Sequence, residues 1–304
     1  MTMIVGYAPD ERGKAALHLA TMLSRSSGEE LVVCVVVPAP WLPGMARVDA
    51  EYREYLEKTA EQALDLARSY LPPDVTATFT RHSARSAPAG LLEVAEQYDA
   101  SMVVLGSSSA GAFGRIVLGS VTDRLVHSAP LPIALATRGF RIRPETKVRR
   151  LTAAYGGSAS AQSLVLAAAA IAAKFGAAIR IASFAVWSRP PYTTRLGTDS
   201  EDLVLQEWIA ELTQAMQDAV GRVRERTDEV PEVVETVIGQ GESWPDAIED
   251  IGWDEGDVMV VGSSELGPVA KVFLGSRATR ILRHSPVPVV VVPRGAAEDL
   301  ADQE

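Results

Sequence analysis

The feature that most limits how this chain can fold is that it repeats itself. Residues 103–120 read VVLGSSSAGAFGRIVLGS and residues 259–276 read MVVGSSELGPVAKVFLGS. Gly106 and Gly119 recur as Gly262 and Gly275 at one constant offset (262 − 106 = 156). The register continues without a gap to Pro130 and Pro132, which match Pro286 and Pro288. A fixed offset over about thirty residues implies duplication of a whole domain, because solenoid repeats are much shorter, roughly 20–50 residues. The 304 residues then divide into two units, each long enough to bury its own core.

Each unit reads as alternating strands and helices. In the first, strands are expected at 3–7, 31–37, 75–81, 102–106 and 131–136. Several are almost continuously apolar, as parallel strands covered on both faces are. Ala16, Leu19, Ala20 and Leu23 form one helical stripe, and Leu56, Ala60, Ala63, Leu64 and Ala67 another. Pro88 opens a third helix, and Gly119-Ser120 a fourth. The second unit repeats the plan with strands at 150–155, 178–185, 233–238, 257–262 and 287–292. The expected division is a first domain at 1–138, a basic linker at 139–149, a second domain at 150–296 and an acidic tail at 297–304. Alternating strands and helices give a parallel sheet with right-handed crossovers, and such sheets bind ligands beyond the carboxyl ends of their strands.

Composition narrows the function classes. A net charge of −10 repels phosphodiester backbones, so nucleic acid and anionic membrane are not expected partners. The single cysteine, Cys34, has no intrachain partner, which fits a reducing compartment. The chain opens almost directly on a strand, with no signal-peptide pattern. Its longest apolar run, Leu164 to Ala173, is too short to span a bilayer. A cytoplasmic protein is expected. His18, His82, His127 and His284 lack metal-ligand spacing, so no metal site is expected. His127 and His284 lie at matching helix ends, where a cation suits the dipole. Trp208, Met216, Trp244 and Trp253 read as packing residues. No nucleophile–histidine–acid set or carboxylate pair has recognisable context, so no catalytic residue is assigned.

The loop from Gly106 to Gly119-Ser120 is the chief binding candidate. Glycines let backbone N–H groups approach a phosphate, and a helix start favours an anion. In full, Gly106 with Gly119-Ser120, and again Gly262 with Gly275-Ser276, resemble the phosphate loop G-x2-G-x9-G-S/T of ATP-binding universal stress proteins. LGSVTDRLVHSAPLPIALA and LGSRATRILRHSPVPVVVVP are similar to that family's last helix and strand, and IVGYAPDERGKAALHLA to its first strand and helix. The resemblance implies two Rossmann-like domains of the adenine nucleotide alpha hydrolase-like kind. Each would be a five-stranded, mainly parallel sheet with helices on both faces, its first and fourth strands flanking the switch in strand order. It implies an adenine nucleotide, ATP above all, held by Gly106, Ser109, Gly119, Ser120 and Val121 in the first copy and by Gly262, Gly275 and Ser276 in the second. It also implies that the last strands pair across a twofold axis, which in a tandem chain makes an internal pseudo-dimer. Pairing of whole chains into a homodimer stays open.

Departures from the family pattern bear on function. The motif's second glycine is Ser109 in the first copy and Glu265 in the second. The aspartate that holds adenine is replaced by Ala8 and by Gly156, with Asp10 a nearby substitute in the first copy only. Losing one ligand hydrogen bond costs about 0.5–1.5 kcal/mol, up to roughly tenfold in affinity. A carboxylate about 5 Å from a phosphate charge costs ~3 kcal/mol at an effective dielectric of ~20. Glu265 therefore opposes a triphosphate, and the first copy is the expected better site. Arg115 and Lys271 match across the repeat and are candidate phosphate neighbours. The expected function is a non-catalytic stress-response module that acts through protein contacts, with degenerate nucleotide sites. The alternatives are an ATP-binding sensor occupied in its first domain and, last, a slow ATPase.

Overall fold

The computed structural model describes residues 1–39, 46–110, 112–157, 159–187, 198–226, 234–263 and 274–302. The first half contains strands β1 (Thr2–Gly6), β2 (Glu30–Pro38), β3 (Ala77–Ala84), β4 (Ala100–Gly106) and β5 (Ile133–Ala136). Between them run helices α1 (Glu11–Ser27), α2 (Ala46–Tyr70), α3 (Ala87–Gln97) and α4 (Ser120–Val126). The second half follows the same order, with strands β6 (Arg150–Ala154), β7 (Ala178–Val186), β8 (Val234–Gly241), β9 (Asp257–Gly262) and β10 (Val289–Val292). Its helices are α5 (Ala159–Phe175), α6 (Thr198–Arg226), α7 (Trp244–Asp250), α8 (Ser276–His284) and α9 (Arg294–Asp302).

The strands form one ten-stranded sheet in the order β3-β2-β1-β4-β5-β10-β9-β6-β7-β8. Within each half every pairing is parallel. Strand order reverses between β1 and β4, and again between β6 and β9, and each reversal opens a crevice beyond the strand ends. The halves meet where β5 pairs antiparallel with β10, Ala134 opposite Val290. This is the expected internal pseudo-dimer. Both strands are fully buried and carry no charge, so the seam covers two edges that would otherwise be sticky.

Local chemistry explains the helix starts. Asp10 caps α1, its Oδ1 accepting from the backbone N–H groups of Arg12 (2.9 Å) and Gly13 (3.1 Å). Ser243 and Asp246 form a reciprocal capping box at α7. Gly28, at φ +73°, ends α1 in the left-handed region that glycine adopts without strain.

Two segments differ from their sequence expectation. The stretch 139–149 has no helix or strand, but it is strapped to the body. Val148 is buried and its N–H donates to Ser26 Oγ at 2.8 Å, and Phe140 and Ile142 pack on the core. Its cations meet acids: Arg141 with Glu11, Arg143 with Glu255 and Arg149 with Asp254. The residues assigned to an acidic tail from 297 continue helix α9, which packs against α5 with Ala297 buried. Among the described residues no helix is long and apolar enough to cross a membrane.

Candidate functional site

Both crevices are built from corresponding parts. Tyr155 follows Tyr7 by a fixed step (155 − 7 = 148), and the next helices start in register at Glu11 and Ala159. At one position the copies differ decisively: Gly13 in the first is Ala161 in the second. A Cβ on Gly13 would lie 1.9 Å from the Ala8 carbonyl oxygen and 2.9 Å from the Tyr7 ring. Only glycine permits that approach. The start of α1 therefore settles onto the strand ends, where the Arg12 carbonyl oxygen sits 2.1 Å from the place a Cβ would take on Gly106. At Gly262, the matching glycine, the nearest neighbour among the described residues is the Leu164 side chain at 3.4 Å. The start of α1 packs directly on Gly106.

The second half holds a cavity of about 190 Å³ at the carboxyl ends of β6 and β9. Gly156, Gly262 and Gly275 line it, so its backbone is accessible to a ligand. Tyr155, Leu164, Phe184, Trp244 and Ile281 give it an apolar and aromatic wall. Ser263 and Arg277 are its polar side chains among the described residues. Arg280 lies over the Trp244 ring at 5.9 Å, a cation–π contact that fixes the indole. Gly275 caps α8 without a side-chain hydrogen bond, and Ser276, the first residue of that helix, is exposed.

In the first half, Gly106 ends β4, Gly119 caps α4, and Ser120 is the exposed first residue of that helix. Val121 turns inward and packs on the core, and Ser109 is exposed in the loop. Ser107, buried and absent from the sequence candidates, staples the loop shut. Its Oγ accepts from the Val117 N–H at 2.8 Å, while the Ser108 N–H donates to the Val117 carbonyl at 2.9 Å. Asp10 is not free to hold a base. Besides capping α1, its Oδ2 accepts from Arg12 Nε at 2.8 Å. Burial raises its pKa, but the hydrogen bonds from Arg12 and Gly13 outweigh that and hold it below the usual carboxylate range. Arg115 points away from its own crevice, donating to the His284 carbonyl (2.9 Å) and to Glu249 Oε1 (2.5 Å). The expectations for Glu265 and Lys271 fall on residues outside those described.

Tyr155, Phe184, Trp244 and Arg277 were missed by sequence reasoning. The signal that would have found three of them is position. Tyr155 and Phe184 stand at strand carboxyl ends, and Trp244 starts a helix beside the crevice. Trp253, by contrast, is the expected packing anchor, donating to the Ile248 carbonyl at 2.7 Å and stacking on Arg180. The Nδ1 of His127 lies 2.6 Å from the Asp123 carbonyl oxygen at the end of α4, in keeping with an end-of-helix role. Cys34 is buried, and burial pushes its thiol up to about 12, so it stays protonated and unreactive near neutrality. No cluster of three metal-ligating side chains occurs among the described residues.

Fold and crevices together define a doubled Rossmann-like α/β protein with its two halves zipped along one sheet. The profile of the universal stress protein family matches residues 1–136 and 147–293. The universal stress protein Rv2319c of Mycobacterium tuberculosis is 35% identical over 297 residues, covering 96% of this chain and 100% of the relative. The chain belongs to the universal stress protein family. A universal stress protein structure from Archaeoglobus fulgidus shares the fold with TM-score 0.61 at 20% identity, covering 97% of this chain and 98% of that one. PA1789 of Pseudomonas aeruginosa, a protein of unknown function, gives TM-score 0.59 at 14% identity, covering 100% of this chain and 97% of that one.

Proposed function

We propose that the chain is a non-catalytic stress-response module with one small-molecule site, in the crevice of its second domain, and with its first domain serving as scaffold. The observation that carries the reading is the cavity of about 190 Å³ over Gly156, Gly262 and Gly275, walled by Tyr155, Phe184 and Trp244. This reverses the sequence expectation that the first copy is the better site.

Ligand size and chemistry follow from the cavity. At about 190 Å³ it is smaller than the ~300–1,000 Å³ of most drug-sized sites, so a compact ligand suits it better than a triphosphate. Trp244, Phe184 and Tyr155 favour a planar ring, and Arg277 at the start of α8 favours one anionic group. A nucleoside monophosphate of the adenine class meets both requirements and agrees with the family resemblance. Gly156, in place of the family's aspartate, offers only backbone to the base. Selectivity for adenine over other planar rings should accordingly be weak.

The test has two parts. The purified protein is denatured and the released small molecules are identified by mass spectrometry. AMP and ATP are then titrated calorimetrically into the wild type and into Trp244→Ala and Gly119→Val. The expected result is one AMP per chain, weaker ATP, loss of binding in Trp244→Ala and retention in Gly119→Val. Loss in Gly119→Val with retention in Trp244→Ala would return the site to the first domain. Hydrolysis of ATP by the purified protein, abolished in Trp244→Ala, would replace the non-catalytic reading with an enzymatic one.

A further inference from the structure

We propose that Arg115, on the glycine loop of the first domain, is a positioning residue for the ligand crevice of the second domain, so that one copy's disused loop sets the shape of the other's site. The proposal rests on the reading of the second crevice given above.

By sequence, Arg115 stands where a cation would face a phosphate bound in its own copy. Its guanidinium instead crosses the seam and ends on two helices of the other half. Nη1 donates to the carbonyl oxygen of His284, the last residue of α8, and Nη2 donates to Glu249 near the end of α7. These helices form one wall of the cavity: α7 contributes Trp244, and α8 contributes Arg277, Ala278 and Ile281. They pack on each other, with Arg280 over Trp244. One planar, two-armed donor therefore fixes the spacing of the two wall helices at their carboxyl-terminal ends.

The chemistry suits arginine in particular. The end of α8 presents carbonyls without intrahelical partners and a partial negative charge. A guanidinium carries donors in a rigid fork and can serve a carbonyl and a carboxylate at once, whereas an ammonium is a single point charge. The base of the strut is also rigid. The Arg138 N–H donates to the Arg115 carbonyl at 2.9 Å, and the Gly114 N–H donates to the Arg138 carbonyl at 3.0 Å. Arg138 lies two residues beyond β5, the strand that pairs across the seam with β10. The Glu249 side chain is more than half exposed, so the ion pair adds little to global stability. Its main consequence is geometric.

The experiment uses the full chain, with AMP as probe, and compares wild type with Arg115→Ala, Arg115→Lys, Glu249→Gln and the Arg115→Ala/Glu249→Gln double variant. Hydrogen exchange by mass spectrometry is followed at residues 244–250 and 276–284, and AMP affinity is measured in parallel. Arg115→Ala is expected to speed exchange in both helices, with little change in the urea midpoint, and to weaken AMP by about 5–20-fold. Arg115→Lys should restore part of that loss, and the double variant should be no worse than Arg115→Ala. Unchanged exchange in both helices of Arg115→Ala overturns the proposal, whatever happens to affinity. If the wild type does not bind AMP, the ligand reading has failed and the exchange measurement still decides the strut. Should Arg115→Ala unfold, Glu249→Gln carries the exchange comparison alone, with α7 the helix expected to loosen.

Discussion

In the first domain the turn after β1 leads into Gly13, and the start of α1 settles onto the strand ends. In the second, Ala161 stands at the same place, and a cavity of about 190 Å³ lies over Gly262. The two crevices otherwise share their tyrosine, their strand-end glycine and their glycine-capped helix. At that place the two copies differ by a single methyl group. The opposite ends of the sheets diverge as well. In the second domain Arg180 and Asp257 are buried together, with Asp257 Oδ2 2.5 Å from Arg150 Nη2, and Arg180 donates to the carbonyls of Ile251 and Gly252. Burial, then the like charge of Arg150, pushes the Arg180 pKa down. The matching positions in the first domain are Val32 and Ser101; Val32 lies in the apolar core, and Ser101 donates to the buried carboxylate of Glu29, which Lys174 pairs at 2.7 Å. The second domain thus carries a buried arginine–aspartate cluster where the first has a single buried carboxylate.

The largest effect should appear at that buried cluster. Asp257→Ala leaves the buried Arg180 guanidinium without its nearest carboxylate and removes one of the acids that pair with the partly buried Arg150, and should cost about 3–5 kcal/mol in urea denaturation. Its counterpart, Ser101→Ala, removes a hydroxyl shared between Glu29 and the Thr2 carbonyl and should cost about 0.5–1.5 kcal/mol. Equal costs would break the contrast. Next comes the crevice itself. Gly106→Ala drives a methyl into the Arg12 backbone and should destabilise by about 1–3 kcal/mol, against well under ~1 kcal/mol for Gly262→Ala. A tolerated Gly106→Ala would mean that the first crevice is not closed.

The smallest effect is alkaline. Cys34 lies in β2, where the second domain has Ala182. Burial raises the Cys34 thiol from 9.0 to about 12. Between those values the unfolded chain has lost the proton and the folded chain retains it, so stability is full below pH ~9 and falls by up to ~1.4 kcal/mol per pH unit above it. Comparing urea midpoints at pH 8 and pH 10, Cys34→Ala should flatten the slope. An equally steep slope in the variant would assign it to other groups.

Much of this architecture could be read in the residues before any coordinates. Apolar runs such as LVVCVVV and DVMVVG mark buried parallel strands, the constant offset announces two domains, and the uncharged last strands call for a partner, which each finds in the other. The choice of site could not be read the same way. The charge of Glu265 at a motif position favours the first copy, and Gly106 looks the same in the sequence whether or not a helix start rests on it. That contact depends on Gly13, an unremarkable helix residue until Ala8 and Tyr7 are placed against it. Arg115 was equally opaque, since its partners Glu249 and His284 lie in the other half of the chain. The ring-bearing wall of the cavity was hidden for a related reason: Trp244 and Phe184 carry no motif, and only strand order brings them together.

The most direct trial of the account is photoaffinity labelling with 8-azido-AMP followed by peptide mapping. Labelling that competes with AMP should fall on peptides containing Tyr155, Phe184 or Trp244, at about one label per chain. Label concentrated instead on residues 107–120, beside Gly106 and Gly119, would contradict the claim that the second crevice is open and the first is shut.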